Sequence, residues 1–180
     1  MVGKSIIIMG TNCTGKTTLI RSIIDKFGGI ERTEQNITYL KSRNPKIGIA
    51  GKYDGLKYGG VDGLGCTRVL PSIMECILTS CDVAIAEGVK LGRFGINIQR
   101  SLFCAKTPIV VCLYAPIQTI AERLAARSCG KITKQIALDN RGIIRAAEKY
   151  KSIGVKTLFF DTSKVTTEDI VEQLNCIING

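Results

Sequence analysis

The chain has 180 residues and carries 25 lysines and arginines against 15 acidic residues, which gives a net charge of +10. This length suits one domain and is too short for an ATPase motor with accessory modules. The charge favours a polyanionic partner, a ligand with several phosphates, or simply a solvated basic surface.

The first elements are predicted by apolar runs. Residues 5–9 form an apolar run typical of a buried strand, and apolar residues at helical spacing predict a helix from about Lys16 to Phe27, closed by Gly28 and Gly29. A polar stretch then leads to a second short strand at residues 47–50. Between these two strands we predict one helix and no further strand.

The remaining elements alternate in type. A glycine-rich segment at residues 51–65 contains aromatic and charged residues, and we expect it to be a substrate loop. After it, the pattern predicts a helix at about 71–80, strands at 83–86 and 109–114, a helix opened by Pro116, a helix at about 134–150, a strand at 155–160 and a helix at about 167–178.

This alternation predicts an α/β fold with a five-stranded parallel sheet and helices on both faces, because near-continuously apolar strands are buried on both sides. No repeat, low-complexity tract or charge block divides residues 1–180, so we expect a single domain. Functional residues should lie at the carboxyl ends of the strands. The basic helical part at about 115–150 is expected to act as a lid.

A glycine-rich motif follows the first strand and fits the pattern G-x-x-x-x-G-K-[ST], which is typical of a phosphate-binding loop between a strand and a helix. Backbone N–H groups and the helix N-terminus would point at the anion. The alternative is an ordinary glycine-containing turn. The expected nucleotide-binding residues are Gly10, Thr11, Asn12, Cys13, Thr14, Gly15, Lys16, Thr17 and Thr18.

The motif implies ATP and Mg²⁺ as cofactors. Lys16 would supply a cation to the β- and γ-phosphates, and the Thr17 hydroxyl would bind Mg²⁺. Glu87 ends an apolar strand and precedes a glycine, so we expect it to hold the same metal ion directly or through water. The alternative is an ordinary solvated glutamate at a strand end.

A chain without histidine must activate a hydroxyl acceptor with a carboxylate, or rely on positioning and charge alone. Asp62 and Asp54 lie in the glycine-rich segment, and either could accept the proton of the substrate hydroxyl, with Asp62 preferred. Tyr53 and Tyr58 could stack on a nucleobase. Ordinary turn residues and packing anchors are the alternatives for these positions.

Two arginines of the expected lid, Arg123 and Arg127, are four positions apart and thus share a helical face. In a kinase they would close over the ATP phosphates and stabilise charge in the transition state. A solvated basic face is the alternative. Thr162 and Ser163 follow the last strand and would either line an adenine pocket or cap the final helix.

Over its whole length the chain resembles the small P-loop kinases of the nucleoside and nucleotide kinase type. The similarity includes the phosphate loop, Glu87, the two lid arginines and residues 160–162. Residues 51–53, 59–63 and 87–88 resemble the bacteriophage 5-hydroxymethyluracil DNA kinases. That resemblance implies phosphorylation of the hydroxymethyl group of a modified base in DNA, with Asp62 among the functional residues.

Three functions follow as hypotheses. The first is an ATP-dependent kinase whose partner is DNA containing a modified pyrimidine. The second is a small-molecule kinase acting on a free nucleoside, nucleotide or other metabolite. The third is a nucleotide-binding regulatory ATPase, although the motifs N-K-x-D and a water-positioning glutamine are not evident.

The expected location is the cytoplasm, or the host cytoplasm if the chain is encoded by a phage, with no membrane partner. No apolar stretch reaches the length of a membrane span, and the eight cysteines, which form no C-x-x-C pair, indicate buried thiols in a reducing compartment rather than a zinc site or a disulfide scaffold.

Overall fold

The structure of the chain, a computed structural model, describes residues 3–53, 60–127 and 134–180. Within these ranges the strands are β1 (Lys4–Gly10), β2 (Ile30–Glu34), β3 (Ile37–Leu40), β4 (Ile47–Ala50), β5 (Val83–Gly88), β6 (Thr107–Tyr114) and β7 (Lys156–Asp161). The α-helices are α1 (Lys16–Lys26), α2 (Leu70–Ser80), α3 (Ile96–Phe103), α4 (Ile117–Ala126), α5 (Lys134–Ser152) and α6 (Thr167–Asn179).

The strands form one mixed sheet in the order β2-β3-β4-β5-β1-β6-β7. Neighbours from β4 to β7 in this order run parallel, and they are the five strands that the apolar runs predict. β3 pairs antiparallel with both β2 and β4. The prediction of a five-stranded, fully parallel sheet is therefore wrong, because the sheet has seven strands.

The two extra strands form a hairpin between α1 and β4, where the sequence pattern predicts no strand. Gln35 and Asn36 have φ angles of 48° and 63°, and they form a two-residue connection between β2 and β3. Turns of this kind match the twist of a hairpin. β2 lies at the sheet edge with no residue fully buried, so its sequence lacks the apolar run that marks the central strands.

The helices follow the predicted pattern with one addition. Helix α3, eight residues long, was not predicted; it buries Ile98 and Leu102. Helix α6 begins after Thr166, which forms a reciprocal capping box with Asp169. Thr162 and Ser163 are therefore not the cap of the last helix.

Both faces of the sheet are covered, because alternate residues of β1 point to opposite sides. Ile7 and Met9 join a core formed with α2, α3 and α5. Ile6 and Ile8 join a second core formed with α1 and α6. Burying each such side chain contributes about 1.5–3 kcal/mol, so the two cores fix the sheet between its helices and hold the loop after β1 in place.

The cysteines only partly match expectation. Cys104 and Cys112 are buried, whereas Cys66, Cys76 and Cys176 are exposed, so the prediction of uniformly buried thiols is wrong. In the described part of the chain, no helix has both the length and the apolar character needed to cross a membrane.

Candidate active site

The glycine-rich motif lies at the carboxyl end of β1 and turns directly into α1. Gly15 occupies the N-cap position with φ 86°, and no side chain of the described residues caps this helix. Cys13 also has a positive φ of 60°. The first N–H groups of α1 therefore have no side-chain acceptor, and together with the helix dipole they form a favourable position for a phosphate.

Tight packing shapes the start of the loop. A Cβ atom at Gly10 would collide with Oγ1 of Thr14 and would lie 2.8 Å from the carbonyl oxygen of Leu113, so only glycine fits. The Thr14 hydroxyl donates to the carbonyl oxygen of Thr11 at 2.8 Å, which closes the loop on itself. Oγ1 of Thr11 is buried and has no partner among the described residues.

Lys16 is folded back onto the loop. Its ammonium donates to the carbonyl oxygen of Thr11 at 3.0 Å, and the residue is 8% exposed. Burial lowers the pKa of Lys16, while the negative charges of Glu87 and Asp62 oppose that shift. A cation in this position can meet an anion at the N-terminus of α1. Asn12, Thr17 and Thr18 are exposed beside it.

Glu87 lies on β5, which pairs with β1, and its backbone is in register with Ile8. The residue is 2% exposed. Its Oε1 accepts a hydrogen bond from the Thr17 hydroxyl at 3.5 Å. Its Oε2 is buried without a partner in the described residues. Burial raises the pKa of the Glu87 carboxyl, and the nearby Lys16 ammonium opposes this.

These oxygens suit a magnesium ion. Mg²⁺ takes hard oxygen ligands, and it is usually held by one or two protein groups together with substrate phosphates and water. Oε2 of Glu87, which lacks a partner in the described part of the chain, and the neighbouring Thr17 hydroxyl are such groups. Glu87 and Thr17, the two residues predicted to bind metal, are therefore brought together.

The side chain of Tyr53 contacts Glu87 and the core, whereas its position in the glycine-rich segment suggests a loop residue that stacks on a base. Its hydroxyl donates to Oε1 of Glu87 at 3.2 Å, and its ring packs against the core on the α1 side of the sheet. Burial and the adjacent Glu87 raise the pKa of Tyr53 well above its ordinary value, so the phenol is a neutral donor. Stacking of Tyr53 on a base stays a prediction.

Gly60 is a site residue that was not among the predicted ones. Its φ is 79°, and a Cβ atom there would collide with Oε1 of Glu87 and lie 2.7 Å from its backbone oxygen. A Cβ atom at Gly51 would in turn lie 2.6 Å from the nitrogen of Gly60. The signal in the sequence is the glycine pair at 59–60, two residues before Asp62, because paired glycines permit such close backbone approach.

Asp62 fixes the segment that follows β5. Its Oδ2 accepts from the backbone N–H of Val89 at 2.8 Å, and its Oδ1 accepts from that of Lys90 at 3.1 Å. The Lys90 ammonium donates to the carbonyl oxygens of Asp62 at 3.2 Å and Gly65 at 3.1 Å. Asp62 is thus close to the site and held by backbone donors. Asp54 and Tyr58 lie outside the described residues.

Arg123 of α4 links two loops at the carboxyl edge of the sheet. One guanidinium nitrogen donates to the carbonyl oxygen of Cys13 at 3.1 Å and to the Thr162 hydroxyl at 2.9 Å. The other donates to the carbonyl oxygen of Thr162 at 2.6 Å. Arg127, at the end of α4, has a guanidinium nitrogen 4.0 Å from the Cys13 sulfur. Both predicted arginines therefore contact the phosphate loop.

A cavity of about 170 Å³ lies between the phosphate loop and the loop after β7. Its lining includes Gly15, Thr18, Arg123, Arg127 and Thr162. Thr162 thus lines a cavity together with residues of the phosphate loop, and its part in an adenine pocket stays a prediction.

Comparisons with known proteins give similarity in structure only. No protein-family model matches the chain, and no curated protein matches it in sequence. A sugar kinase from Janibacter sp. HTCC2649 superposes with a TM-score of 0.59 at 13% identity, covering 97% of this chain and 93% of the other.

Two further solved structures are similar. The YorR protein of Bacillus subtilis, in complex with phosphorylated GDP, gives a TM-score of 0.59 at 15% identity, covering 97% of this chain and 95% of the other. Deoxyadenosine kinase from M. mycoides, with dCMP and dCDP bound, gives 0.52 at 14% identity, covering 98% of each chain. The chain thus has the fold of small P-loop kinases, with its glycine-rich loop, Lys16 and Glu87 gathered at one edge of the sheet.

Proposed function

We propose that the chain is a phosphotransferase that uses ATP and Mg²⁺ and transfers the γ-phosphoryl group to an alcohol. The observation that carries this proposal is the buried Glu87 carboxylate, one oxygen of which has no partner among the described residues, next to the Thr17 hydroxyl at the start of α1. The similarity of the fold to solved kinases supports it.

Each residue of the phosphate loop has a proposed part in binding. The loop N–H groups and the N-terminus of α1 hold the phosphates, and Lys16 turns from the Thr11 carbonyl oxygen to the β- and γ-phosphates. Thr17 and Glu87 hold Mg²⁺, which neutralises charge on those phosphates when bound. Such positioning and electrostatic stabilisation provide most of the catalysis in phosphoryl transfer.

The general base is proposed to be a carboxylate of the glycine-rich segment. Asp62 lies near Lys16 and Glu87 and keeps lone pairs beyond those that accept the N–H groups of Val89 and Lys90. Asp54 is the alternative base. Arg123 and Arg127 are proposed to stabilise transition-state charge, and the helical part at 115–150 to close over the nucleotide as a lid.

The acceptor that the comparisons favour is a free small molecule, such as a nucleoside, nucleotide or sugar. Two of the similar structures are named as a sugar kinase and a deoxyadenosine kinase, and a third holds a phosphorylated guanine nucleotide. Identities of 13–15% support the fold and leave the acceptor itself as a proposal.

The second candidate acceptor is the hydroxymethyl group of 5-hydroxymethyluracil in DNA. The net charge of +10 favours a polyanion, and the glycine-rich segment resembles that of the phage DNA kinases. A base in a duplex would have to leave the stack to reach the γ-phosphate, so single strands should be phosphorylated at least as well as duplexes.

A transfer assay with γ-labelled ATP distinguishes these acceptors. The panel contains free nucleosides, nucleotides, simple sugars, ordinary DNA and hydroxymethyluracil DNA in single- and double-stranded form. Each active acceptor is then assayed from low to several hundred millimolar salt. Binding of a polymer weakens by roughly one power of salt concentration for each phosphate contacted, whereas binding of an uncharged nucleoside does not.

Label on a free small molecule with little salt dependence would support the favoured acceptor. Label on hydroxymethyluracil DNA alone, with steep salt dependence, would replace it with the second. ATP hydrolysis without transfer to any member of the panel would count against the phosphotransferase proposal and in favour of a regulatory ATPase.

A further inference from the structure

A second cavity, of about 470 Å³, lies at the edge of the sheet opposite the phosphate loop. Two of its lining residues show this location, because Ile47 begins β4 and Cys81 lies just before β5. These parallel strands, like β1, begin at this edge. The six residue steps from Lys4 to Gly10 put the two edges roughly 20 Å apart.

Most charged residues around this cavity are positive. The lining contains one carboxylate, Glu31, and four cations: Arg32, Lys41, Arg43 and Lys46. The remaining lining residues include the hydroxyl groups of Tyr39, Ser42 and Ser80. We refer to this cavity as the basic pocket.

Arg32 lines the basic pocket, and neighbouring carboxylates neutralise its charge. Its guanidinium lies 3.4 Å from the Glu31 carboxylate and 3.6 Å from that of Glu34. The same group stacks 4.2 Å above the centre of the Tyr39 ring. The single lining carboxylate is thus already paired with Arg32.

The other three cations lie on the loop between β3 and β4. Lys41, Arg43 and Lys46 are exposed, and none forms an ion pair with any residue that the structure describes. This loop is held at two points. The Ser42 hydroxyl donates to the carbonyl oxygen of Pro45 at 2.7 Å, and the backbone N–H of Lys46 donates to Oδ2 of Asp82 at 2.8 Å.

We infer that the basic pocket binds a phosphate-bearing ligand, at a site separate from the phosphate loop. Lys41, Arg43 and Lys46 place three cations that form no ion pair with a described residue around a concave site, which suits two or more linked phosphates. The volume falls within the range of about 300–1,000 Å³ that small-molecule sites occupy. The ligand is either a nucleotide with its pyrophosphate group or the consecutive phosphates of a nucleic acid.

Amide NMR shifts of the full chain locate binding residue by residue, so the test does not depend on the proposed activity. The protein is titrated separately with inorganic pyrophosphate and with a single-stranded 12-nucleotide oligomer. The expected shifts are at residues 31–32, 41–46 and 80–81, with an affinity distinct from that of residues 10–17. Pyrophosphate shifts at 10–17 alone would support ligand binding at the phosphate loop and would count against pyrophosphate binding in the pocket.

Two triple variants provide the comparison. Lys41→Gln, Arg43→Gln and Lys46→Gln together should weaken binding at the pocket amides about tenfold or more. The matched variant Arg21→Gln, Arg100→Gln and Lys106→Gln removes the same charge from exposed positions outside the pocket and should leave that affinity within about twofold. The single Lys41→Gln variant keeps the test available if a triple variant is unstable.

If pyrophosphate shifts the pocket amides and only the Lys41, Arg43 and Lys46 triple variant loses these shifts, the inference is supported and the ligand is a nucleotide. If the oligomer alone shifts the pocket amides, with the same loss in that variant, the inference is supported and the ligand is a nucleic acid. No pocket shift with either probe, or equal weakening in both triple variants, would overturn it.

Discussion

The hydroxyl of Tyr53 donates a hydrogen bond to Oε1 of Glu87 at 3.2 Å. This contact joins the segment after β4 to the carboxylate of β5, and it leaves Oε2 of Glu87 as the oxygen without a partner among the described residues. A side chain that the sequence suggests for base stacking therefore orients the candidate metal ligand.

Replacing Tyr53 with phenylalanine keeps the packed ring and removes the donor to Glu87. We expect kcat to fall about tenfold and the Mg²⁺ concentration for half-maximal rate to rise, since one hydrogen bond to a charged group contributes about 1.5–3 kcal/mol. The KM for the acceptor should hardly change. Tyr150→Phe is the control, because the hydrogen bond that the Tyr150 hydroxyl makes within the described residues is to the carbonyl oxygen of Arg93, at 3.5 Å. Equal Mg²⁺ dependence in Tyr53→Phe and the unmodified protein would refute this role.

We expect Glu87→Gln to lower activity without lowering the stability of the ligand-free protein. The Gln variant retains an acceptor for Tyr53 and Thr17 and loses the charge, so Mg²⁺-dependent activity should fall at least a hundredfold. Because burial raises the pKa of Glu87, the folded protein holds this proton more tightly than the unfolded chain does. The stability that the protonated carboxyl contributes is present below the unfolded pKa and is lost as pH rises through the folded value.

The Gln variant resembles the protonated carboxyl at every pH. Without ligands it should therefore be at least as stable as the unmodified protein at pH 7, and the difference in stability should shrink as pH falls through the folded pKa and be nearly gone below the ordinary value of 4.5. Urea unfolding at several pH values measures this, with the exposed Glu75→Gln as control. A variant that is clearly less stable at pH 7 would contradict the assigned direction.

Asp62→Asn removes one of two acceptors for the N–H groups of Val89 and Lys90. Leaving one donor without a partner should reduce the free energy of unfolding by about 1–3 kcal/mol. If Asp62 is also the general base, the rate of phosphoryl transfer should fall while ATP binding stays nearly unchanged. A normal rate in Asp62→Asn together with a strongly reduced rate in Asp54→Asn would assign the base to Asp54.

Arg123→Lys tests the link between the phosphate loop and Thr162. The guanidinium contacts three acceptors on two loops, and a lysine ammonium cannot reproduce that fork. We expect the KM for ATP to rise about tenfold, with a smaller change in kcat. Arg21→Lys, on the exposed face of α1, is the matched control. An unchanged KM for ATP would remove Arg123 from the nucleotide site.

The sequence predicts the parallel half of the fold well, because strands buried on both faces carry apolar runs such as residues 5–9. It does not predict the hairpin, since β2 is a half-exposed edge strand and its turn uses Gln35 and Asn36 instead of glycine. The short helix α3 lacks both a strong cap and a long apolar period.

The sequence predicts those residues of the candidate site whose positions follow from the order of the strands. Glu87 lies at the carboxyl end of β5, and Lys16 follows the loop after the neighbouring parallel strand β1, so their proximity follows from the pattern. The hydrogen bond of Tyr53, the close approach of Gly60 and the backbone contacts of Asp62 depend on how the glycine-rich segment folds over β5. No periodic pattern in the sequence predicts how this segment folds over β5.

The most direct measurement compares the unmodified protein with Lys16→Ala in Mg²⁺-dependent transfer of label from γ-labelled ATP to the best acceptor of the panel. Lys16 is the side-chain cation folded onto the phosphate loop, and no backbone group replaces its charge. The account predicts transfer by the unmodified protein and a loss of at least a hundredfold in a Lys16→Ala variant whose circular dichroism and melting show it to be folded. Near-normal turnover in that folded variant would contradict the assignment of phosphoryl transfer to this loop.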